Sequence, residues 1–500
     1  MMTEPETALP PAAAPRPPLS RRKATLFRVL AVLLGLSPFV ALEAACRIFD
    51  WGRPSLHDDP FVGFSEVSPL FVLEETSGRY VIPPARQTHF RPDSFAAKKP
   101  AHGCRIFVLG GSTVQGRPYA IETSFTTWLR LALEQADPTR TWEVVNCGGI
   151  SYASYRLVPI MEELLEREPD LFIVCAGQNE FLEDRSYGHI KNRTQLVRWP
   201  SEQASRLRSF VLLRAGCQQL GLIAAPEITA DRPRLGPEAD ARLDWKGGMK
   251  DYHRDDAWRA DVMAHYEFNL RRMVALAQGA GVPVLLMNPV SNLDWPPFKA
   301  EPGDSLSAGQ LVRVKSLREQ ARACRDEPQR SLELLLQARA IDGQHAGLLF
   351  DLGKCYQSLG MLDEARAMLQ AAKDNDICPL RMLEPMKDTL RQVARETGTP
   401  LVDADALIAE RSPGRIPGTR WLVDHVHPTI EGHQFLADEL FDELMRQGFV
   451  KSSGPLDDRQ RAYRKHLASL DTMYFVRGQR RLDAVQAWAH GQATWERDKK

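Results

Sequence analysis

Between residues 104 and 177 the chain sets down three short apolar runs, each followed by a glycine stop, with segments of helical spacing between them. The runs are Cys104–Gly110 (CRIFVLG), Trp142–Asn146 (WEVVN, stopping at Gly148-Gly149) and Asp170–Cys175 (DLFIVC, stopping at Gly177). Runs this short and this apolar read as buried strands. Between them, Thr123–Ala136 places Phe125, Leu129, Ala132 and Leu133 at helical spacing, and Tyr155–Arg167 reads as a second helix. Alternating strands and helices predict a parallel, doubly wound sheet whose ligand site lies beyond the strand C-termini.

The alternation resumes later. Ala257–Gln278 carries Trp258, Val262, Tyr266, Leu270, Met273 and Ala277 on one stripe and ends at Gly279-Ala280-Gly281, before a strand at Val282–Met287. A fifth strand, Thr399–Val402, follows a helix at Leu383–Glu396. Between these, Ala346–Pro379 fits the tetratricopeptide spacing of about 34 residues, with Leu349, Leu352-Gly353, Tyr356, Gly360, Ala365, Leu369, Ala372 and Pro379 in place. Ser331, Leu335 and Ala338 repeat that spacing one period earlier, so a degenerate first repeat is expected at Val312–His345. Gly353 and Ala365 let paired helices approach closely. Two repeats are fewer than usually stand alone, so the insert should pack on the α/β core or on a protein partner.

The N-terminus has a different character. After a Pro- and Ala-rich tail come Arg21-Arg22-Lys23 and an apolar run from Leu26 to Ala45, broken by Arg28, Ser37, Pro38 and Glu43. About twenty such residues span a bilayer, whereas a signal-peptide core is roughly 7–15 residues long. An uncleaved transmembrane anchor is expected rather than a cleaved signal peptide, since no small-x-small site precedes a clear mature start. The preceding basic cluster then puts the bulk of the chain outside the cytoplasm, in the periplasm of a bacterium. The expected divisions are a cytoplasmic tail (1–25), the anchor (26–45), an aperiodic linker and cap (46–100), the α/β domain (101–300 and 380–450), the insert (301–379) and a C-terminal helical tail (451–500). The 64 basic residues balance the 64 acidic ones, which argues against nucleic acid as a partner. Eight scattered cysteines offer neither a disulfide framework nor a CxxC metal site.

Reactive residues sit just after the strand ends. Gly110-Gly111-Ser112-Thr113 aims a hydroxyl out of the first strand. Asn146-Cys147-Gly148-Gly149-Ile150-Ser151 offers unshielded backbone N–H groups, and Gly177-Gln178-Asn179-Glu180 supplies a carboxamide. Asp424-His425-Val426-His427-Pro428 closes the series. A serine hydroxyl is a poor nucleophile until an imidazole takes its proton, and His427 is the candidate base. Asp424, three residues earlier, can reach the other ring nitrogen and stabilise the imidazolium.

These four segments, in this order, resemble the sequence blocks of the SGNH (GDSL-type) hydrolase superfamily. The resemblance covers Arg105 to about Leu444 outside the insert. It implies a flavodoxin-like three-layer α/β/α sandwich acting on ester bonds without a cofactor. Ser112 would be the nucleophile and Asp424 with His427 would complete the triad. The oxyanion would be held by the Ser112 N–H, a second-block N–H at Gly149 or Ser151, and the Asn179 side chain. The usual Gly-Asp-Ser reads Gly-Gly-Ser here, and Glu180 stands where Asp is usual.

Three functional readings follow: hydrolysis of O-acyl or O-acetyl esters on surface glycans or lipids, O-acyl transfer to a polysaccharide, or an inactive scaffold acting through the repeat insert. A nucleophile elbow of the α/β-hydrolase kind is excluded because Val114 stands where G-x-S-x-G needs glycine. A metal site built on Asp424, His425, His427 and His433 lacks a second ligand pair at conventional spacing. Cys147 and Cys175 read as core residues. Arg117, Tyr119 and Arg185 are candidates for the rim of the site, and Ala225–Arg254 reads either as a lid or as a surface insert.

Overall fold

In a computed structural model, the described residues are 21–49, 51, 69–182, 208–219, 252–450 and 456–489. The tail 1–20, Arg185 and most of the 225–254 stretch lie outside them. The chain divides into two units, residues 1–60 with 193–231 and residues 61–192 with 232–500. Elements of the second unit are numbered along the chain.

Residues 69–100, expected to be linker and cap, instead contain a three-stranded antiparallel sheet of β1 (Val72–Glu74), β2 (Arg79–Val81) and β3 (Ser94–Ala96). Strands of three residues are too short to show a period and leave no pattern in the sequence. Aromatic packing fixes the sheet in place. Phe95 is buried, with its ring 5.0 Å from Phe71 and edge-on to Phe107 at 5.2 Å. The buried Arg105 guanidinium lies 4.7 Å over Phe95 and donates to Ala96 O, Arg167 O and Glu143 Oε2.

The glycine-stopped runs form the expected strands. β4 (Gly103–Gly110) leads through α1 (Ser112–Gln115) and α2 (Phe125–Ala136) to β5 (Thr141–Gly148). Next come α3 (Ser154–Leu165), β6 (Leu171–Cys175), α4 (Asp256–Gly279) and β7 (Val284–Met287). All pairings in this five-stranded sheet are parallel, in the order β5-β4-β6-β7-β8, where β8 is the short Leu401–Val402 strand. Numbered within this sheet, the order is 2-1-3-4-5, the flavodoxin-like arrangement, whose crevice opens where β4 meets β6. Alternate residues of each strand face opposite layers. Phe107 and Leu109 join α3 and α4 in one core, while Ile106 and Val108 join α2 in the other. Cys147 and Cys175 are buried free thiols on the strands flanking β4, with registers to Leu109 and Gly110.

Between β7 and β8 lie α5 (Ala308–Ala323), α6 (Pro328–Ile341), α7 (Ala346–Ser358), α8 (Leu362–Asp374) and α9 (Glu384–Thr397). The first three share a small core of their own, with Leu317, Leu335 and Leu352. The close approach expected at Gly353 is present, since a Cβ there would lie 2.6 Å from Leu369 Cδ2. Helix α9 instead faces the sheet and packs with α4. After β8, α10 (Ala404–Glu410) and α11 (Ile430–Arg446) complete the second layer. α12 (Leu456–Ser469) packs on α2, with Tyr463 5.1 Å from Trp128. α13 (Thr472–Ala489) follows.

In the first unit, Arg21–Ile48 is helical, but no helix among the described residues is long and apolar enough to cross a membrane. The anchor expected at 26–45 is therefore not supported. Pro38 and Glu43 interrupt its apolar stretch, and Glu43 Oε2 accepts from the N–H and Oγ of Ser209 at 2.9 and 2.8 Å.

Candidate active site

Ser112 follows the Gly-Gly that ends β4 and opens the four-residue helix α1. Neither glycine can carry a side chain without displacing a neighbour. A Cβ at Gly110 would overlap the Cys175 carbonyl, and one at Gly111 would overlap the Asn179 amide nitrogen. Asp424 and His427 lie on the loop before α11, closed by the Leu422–Pro428 bridge and by Val423 N–H donating to His427 O at 2.9 Å. Thr429 then caps α11 by accepting from Gly432 N–H, so Pro428 does lead a loop into a helix, as its position implied.

The fold brings these segments together. His427 Nε2 lies 2.7 Å from Ser112 Oγ, and His427 Nδ1 lies 2.6 Å from Asp424 Oδ2. Asp424 Oδ1 accepts the N–H groups of Val426 and His427 at 2.9 and 2.8 Å. All three side chains are buried. Burial alone would raise the Asp424 carboxyl, but neighbouring His427 and His425 and the hydrogen bonds hold it well below the usual carboxylate range. An ionised Asp424 fixes the tautomer: Nδ1 carries the proton it donates to Asp424, so Nε2 is left to accept from the serine.

His425 and His433 are not part of this relay. Burial pushes the His425 imidazole down to about 3, and its ring packs edge-on to Phe298 at 4.9 Å. His433 is likewise lowered to about 3 by burial and accepts from Phe125 N–H at 3.3 Å. Among the described residues, no three His, Cys, Asp or Glu side chains are grouped to hold a metal ion.

Of the expected oxyanion donors, the Ser112 N–H faces no acceptor among the described residues. Asn179 donates through Nδ2 to Tyr152 O at 3.0 Å, which uses one of its two amide protons. Gly149 does not fit its expected part, because its N–H already donates to Gly110 O at 3.0 Å, continuing the parallel ladder one residue past β5. Ser151, the alternative, sits in the left-handed region at φ 62° with an N–H that meets no acceptor among the described residues. A non-glycine residue held there stores strain of about 1–3 kcal/mol and often marks a functional site.

One supporting residue escaped the sequence reading, and a second, Glu180, was noted there without a role. Asn292, five residues past β7, donates through Nδ2 to Asp424 O at 2.8 Å, and its N–H donates to His425 O at 2.9 Å. The rule that sites gather at strand C-termini, applied to β7 as to β4, would have found it. Glu180 accepts from Ser154 N–H and Oγ at 2.9 and 2.8 Å, tying the Asn179 segment to the start of α3. Its burial pushes its carboxyl up to about 7.

Residues 325–376 match the tetratricopeptide repeat family. No curated protein matches the sequence. Solved structures similar to this chain include an acetylxylan esterase from Geobacillus stearothermophilus, at TM-score 0.31 and 15% identity, covering 70% of this chain and 96% of that one. An alpha/beta hydrolase enzyme from the Lake Arreo metagenome aligns at TM-score 0.30 and 13% identity, covering 69% and 96%. A protein described as of the G-D-S-L lipolytic family, from Desulfitobacterium hafniense, aligns at TM-score 0.29 and 9% identity, covering 68% and 99%. At such TM-scores these likenesses carry no weight for activity.

Proposed function

We propose that this chain is a serine ester hydrolase of the SGNH type, acting on O-acyl or O-acetyl esters. The observation that carries the reading is the continuous run Ser112 Oγ, His427 Nε2, His427 Nδ1, Asp424 Oδ2, with links of 2.7 and 2.6 Å. In the proposed reaction, Ser112 Oγ attacks the ester carbonyl carbon while His427 Nε2 takes its proton. Asp424 holds the imidazolium that results. The oxyanion is stabilised by the N–H groups of Ser112 and Ser151 and by Asn179 Nδ2. The intermediate collapses, the C–O bond to the alcohol breaks, and His427 returns the proton to the leaving oxygen. Water then repeats the sequence on the acyl-Ser112 ester and releases the acid.

The test is hydrolysis of short 4-nitrophenyl esters by the full chain, with labelling by a fluorophosphonate probe. Turnover with label on Ser112 supports the proposal. Turnover that survives both Ser112→Ala and His427→Ala overturns it, and absence of both turnover and label leaves the scaffold reading. Acyl transfer is distinguished by mass analysis of candidate glycans incubated with an acyl donor. Interaction with a protein partner is proposed on the tetratricopeptide match, and location outside the cytoplasm only on the charge pattern of Arg21, Arg22 and Lys23. Cell fractionation with a protease-protection assay tests the location.

A further inference from the structure

The loop that carries Asp424 and His427 is held from behind by a segment that leaves the repeat insert. Asp424 Oδ1 takes the Val426 N–H at 2.9 Å, and the carbonyl of that same peptide unit, His425 O, takes the Asn292 N–H at 2.9 Å. This peptide plane is therefore fixed at both ends. The plane before it is held as well, because Asn292 Nδ2 donates to Asp424 O at 2.8 Å. With Oδ1 pinned by backbone N–H groups, the direction of Oδ2 towards His427 Nδ1, 2.6 Å away, follows from these planes and so from the place of Asn292.

Asn292 is itself held by Arg381. The tetratricopeptide match ends at residue 376, and the chain then runs from α8 to α9 with Asp376 and Arg381 both buried. Arg381 Nη1 donates to Asn292 O at 2.9 Å and to Trp295 O at 2.7 Å, which uses both of its protons. Its Nη2 lies 3.6 Å from Asp376 Oδ2, and the Asp376 carboxylate accepts the N–H groups of Phe298 and Lys299 at 2.8 and 3.0 Å. The buried pair thus grips the 292–299 segment by carbonyls at one end and N–H groups at the other. Leu293, within that segment, packs with Ala365 and Leu369 of α8. The N–H groups on either side of Asn292 have holds of their own, Ser291 on Asp405 Oδ1 at 2.9 Å and Leu293 on Pro417 O at 3.0 Å. Loss of Arg381 should therefore loosen Asn292 without unfolding the segment.

A buried ion pair is a poor source of stability, because desolvation offsets much of its attraction. What a guanidinium does supply is direction, from a rigid fork that stays charged when buried. We propose that Arg381 is a positioning residue for the esterase reaction, acting through Asn292 to hold the Asp424–His427 loop and so tying the repeat insert to the chemistry at Ser112. The inference rests on the serine esterase reading and adds to it a residue outside the four sequence blocks.

The test uses the full chain with Arg381→Met, Arg381→Lys and Asn292→Ala, beside Leu335→Ala as a control that opens a cavity in the core shared by α5, α6 and α7. Misplacing a reacting group by about 1 Å can cost about 10²-fold in rate. Arg381→Met and Asn292→Ala should each lower kcat for a 4-nitrophenyl ester by about tenfold to a hundredfold with KM unchanged. Arg381→Lys keeps the charge but not the fork, and should recover part of the loss. Leu335→Ala should melt earlier than wild type with kcat unchanged. The second readout is the downfield proton resonance of the imidazole N–H bonded to Asp424, assigned by its absence in His427→Ala. It should move upfield in Arg381→Met and Asn292→Ala and stay in place in Leu335→Ala. Wild-type kcat, or an unmoved resonance, in a folded Arg381→Met variant would overturn the proposal, as would an equal fall of kcat in Leu335→Ala. Should Arg381→Met not fold, Arg381→Lys decides by the same two readouts, since one ammonium cannot serve two carbonyls and Asp376 together. If the wild type hydrolyses no ester, the esterase reading fails but the resonance still decides: a shift shows that Arg381 holds the loop, and an unshifted signal refutes it.

Discussion

Gly111 and Asn179 touch so closely that the missing side chain of one makes room for the amide of the other. Asn179 Nδ2 lies where a Cβ on residue 111 would reach, and the same nitrogen is held by Tyr152 O at 3.0 Å. The second glycine of Gly-Gly-Ser is therefore required by the packing of Asn179, the side chain proposed to hold the oxyanion. The atom displaced by a larger residue is the end of a flexible side chain, so Gly111→Ala should leave the fold intact. With the amide pushed aside, kcat should fall by roughly 10²–10³, as when one oxyanion donor is lost. Asn179→Ala should fall by a similar amount, and the double variant by little more than either alone. Steady-state kinetics with a 4-nitrophenyl ester checks this, and additive losses would separate the two residues.

Asp424→Asn keeps the shape of the relay but presents the wrong partner to Nδ1 and favours the wrong imidazole tautomer. In the serine-protease triad that change costs about 10⁴ in kcat. A comparable loss is expected here, with circular dichroism and melting close to wild type.

The second-block donor can be assigned by substitution. Ser151→Gly keeps the N–H and relieves the left-handed backbone, so activity should persist while stability rises by about 1 kcal/mol. Ser151→Pro removes the N–H and cannot adopt φ 62°, so it should lose both activity and stability. Gly149→Ala should act on stability alone, because its Cβ would lie 2.6 Å from the Tyr152 ring while the N–H stays bonded to Gly110. Full activity of a folded Ser151→Pro variant would return the donor to Gly149.

Glu180 imposes a pH dependence on folding. Its carboxyl binds a proton more tightly in the folded chain, at about 7, than the ordinary glutamate does in an unfolded one. The stability it contributes is complete below the ordinary glutamate value and is lost as pH rises through about 7. Over that window the loss amounts to about 3 kcal/mol at most. Glu180→Gln should flatten this part of the profile, so that the variant gains on the wild type between pH 5 and 8 in urea titrations. Parallel profiles would show that Ser154 holds the ionised form without cost.

Much of the sheet could be read from the sequence because its determinants are local. CRIFVLG and LFIVC are apolar on both faces, and their glycine stops are where the backbone must turn close to a neighbour. The tetratricopeptide spacing was equally local, since helix pairs bury their stripes against adjacent repeats. The three short strands at 72–96 left no mark because their stability comes from Phe95 meeting Phe107 and Arg105, contacts made in space. In the apolar run at 26–45, Glu43 finds a partner in Ser209, a contact made in space that hydropathy does not register.

The sequence by itself determined which residues could do chemistry: Ser112, Asp424, His427 and Asn179 stand beside strand ends or helix starts, where side-chain type and spacing reveal them. Tertiary structure alone decided how they combine. Ser112 and His427 are separated by 315 positions, and only the switch of strand order at β4 and β6 opens the crevice where the two meet. It also decided that the Gly149 N–H belongs to the ladder, which leaves the Ser151 N–H as the donor proposed for the oxyanion. Backbone donors and distant charges carry no residue-type signature, so their roles exist only once the chain has closed on itself.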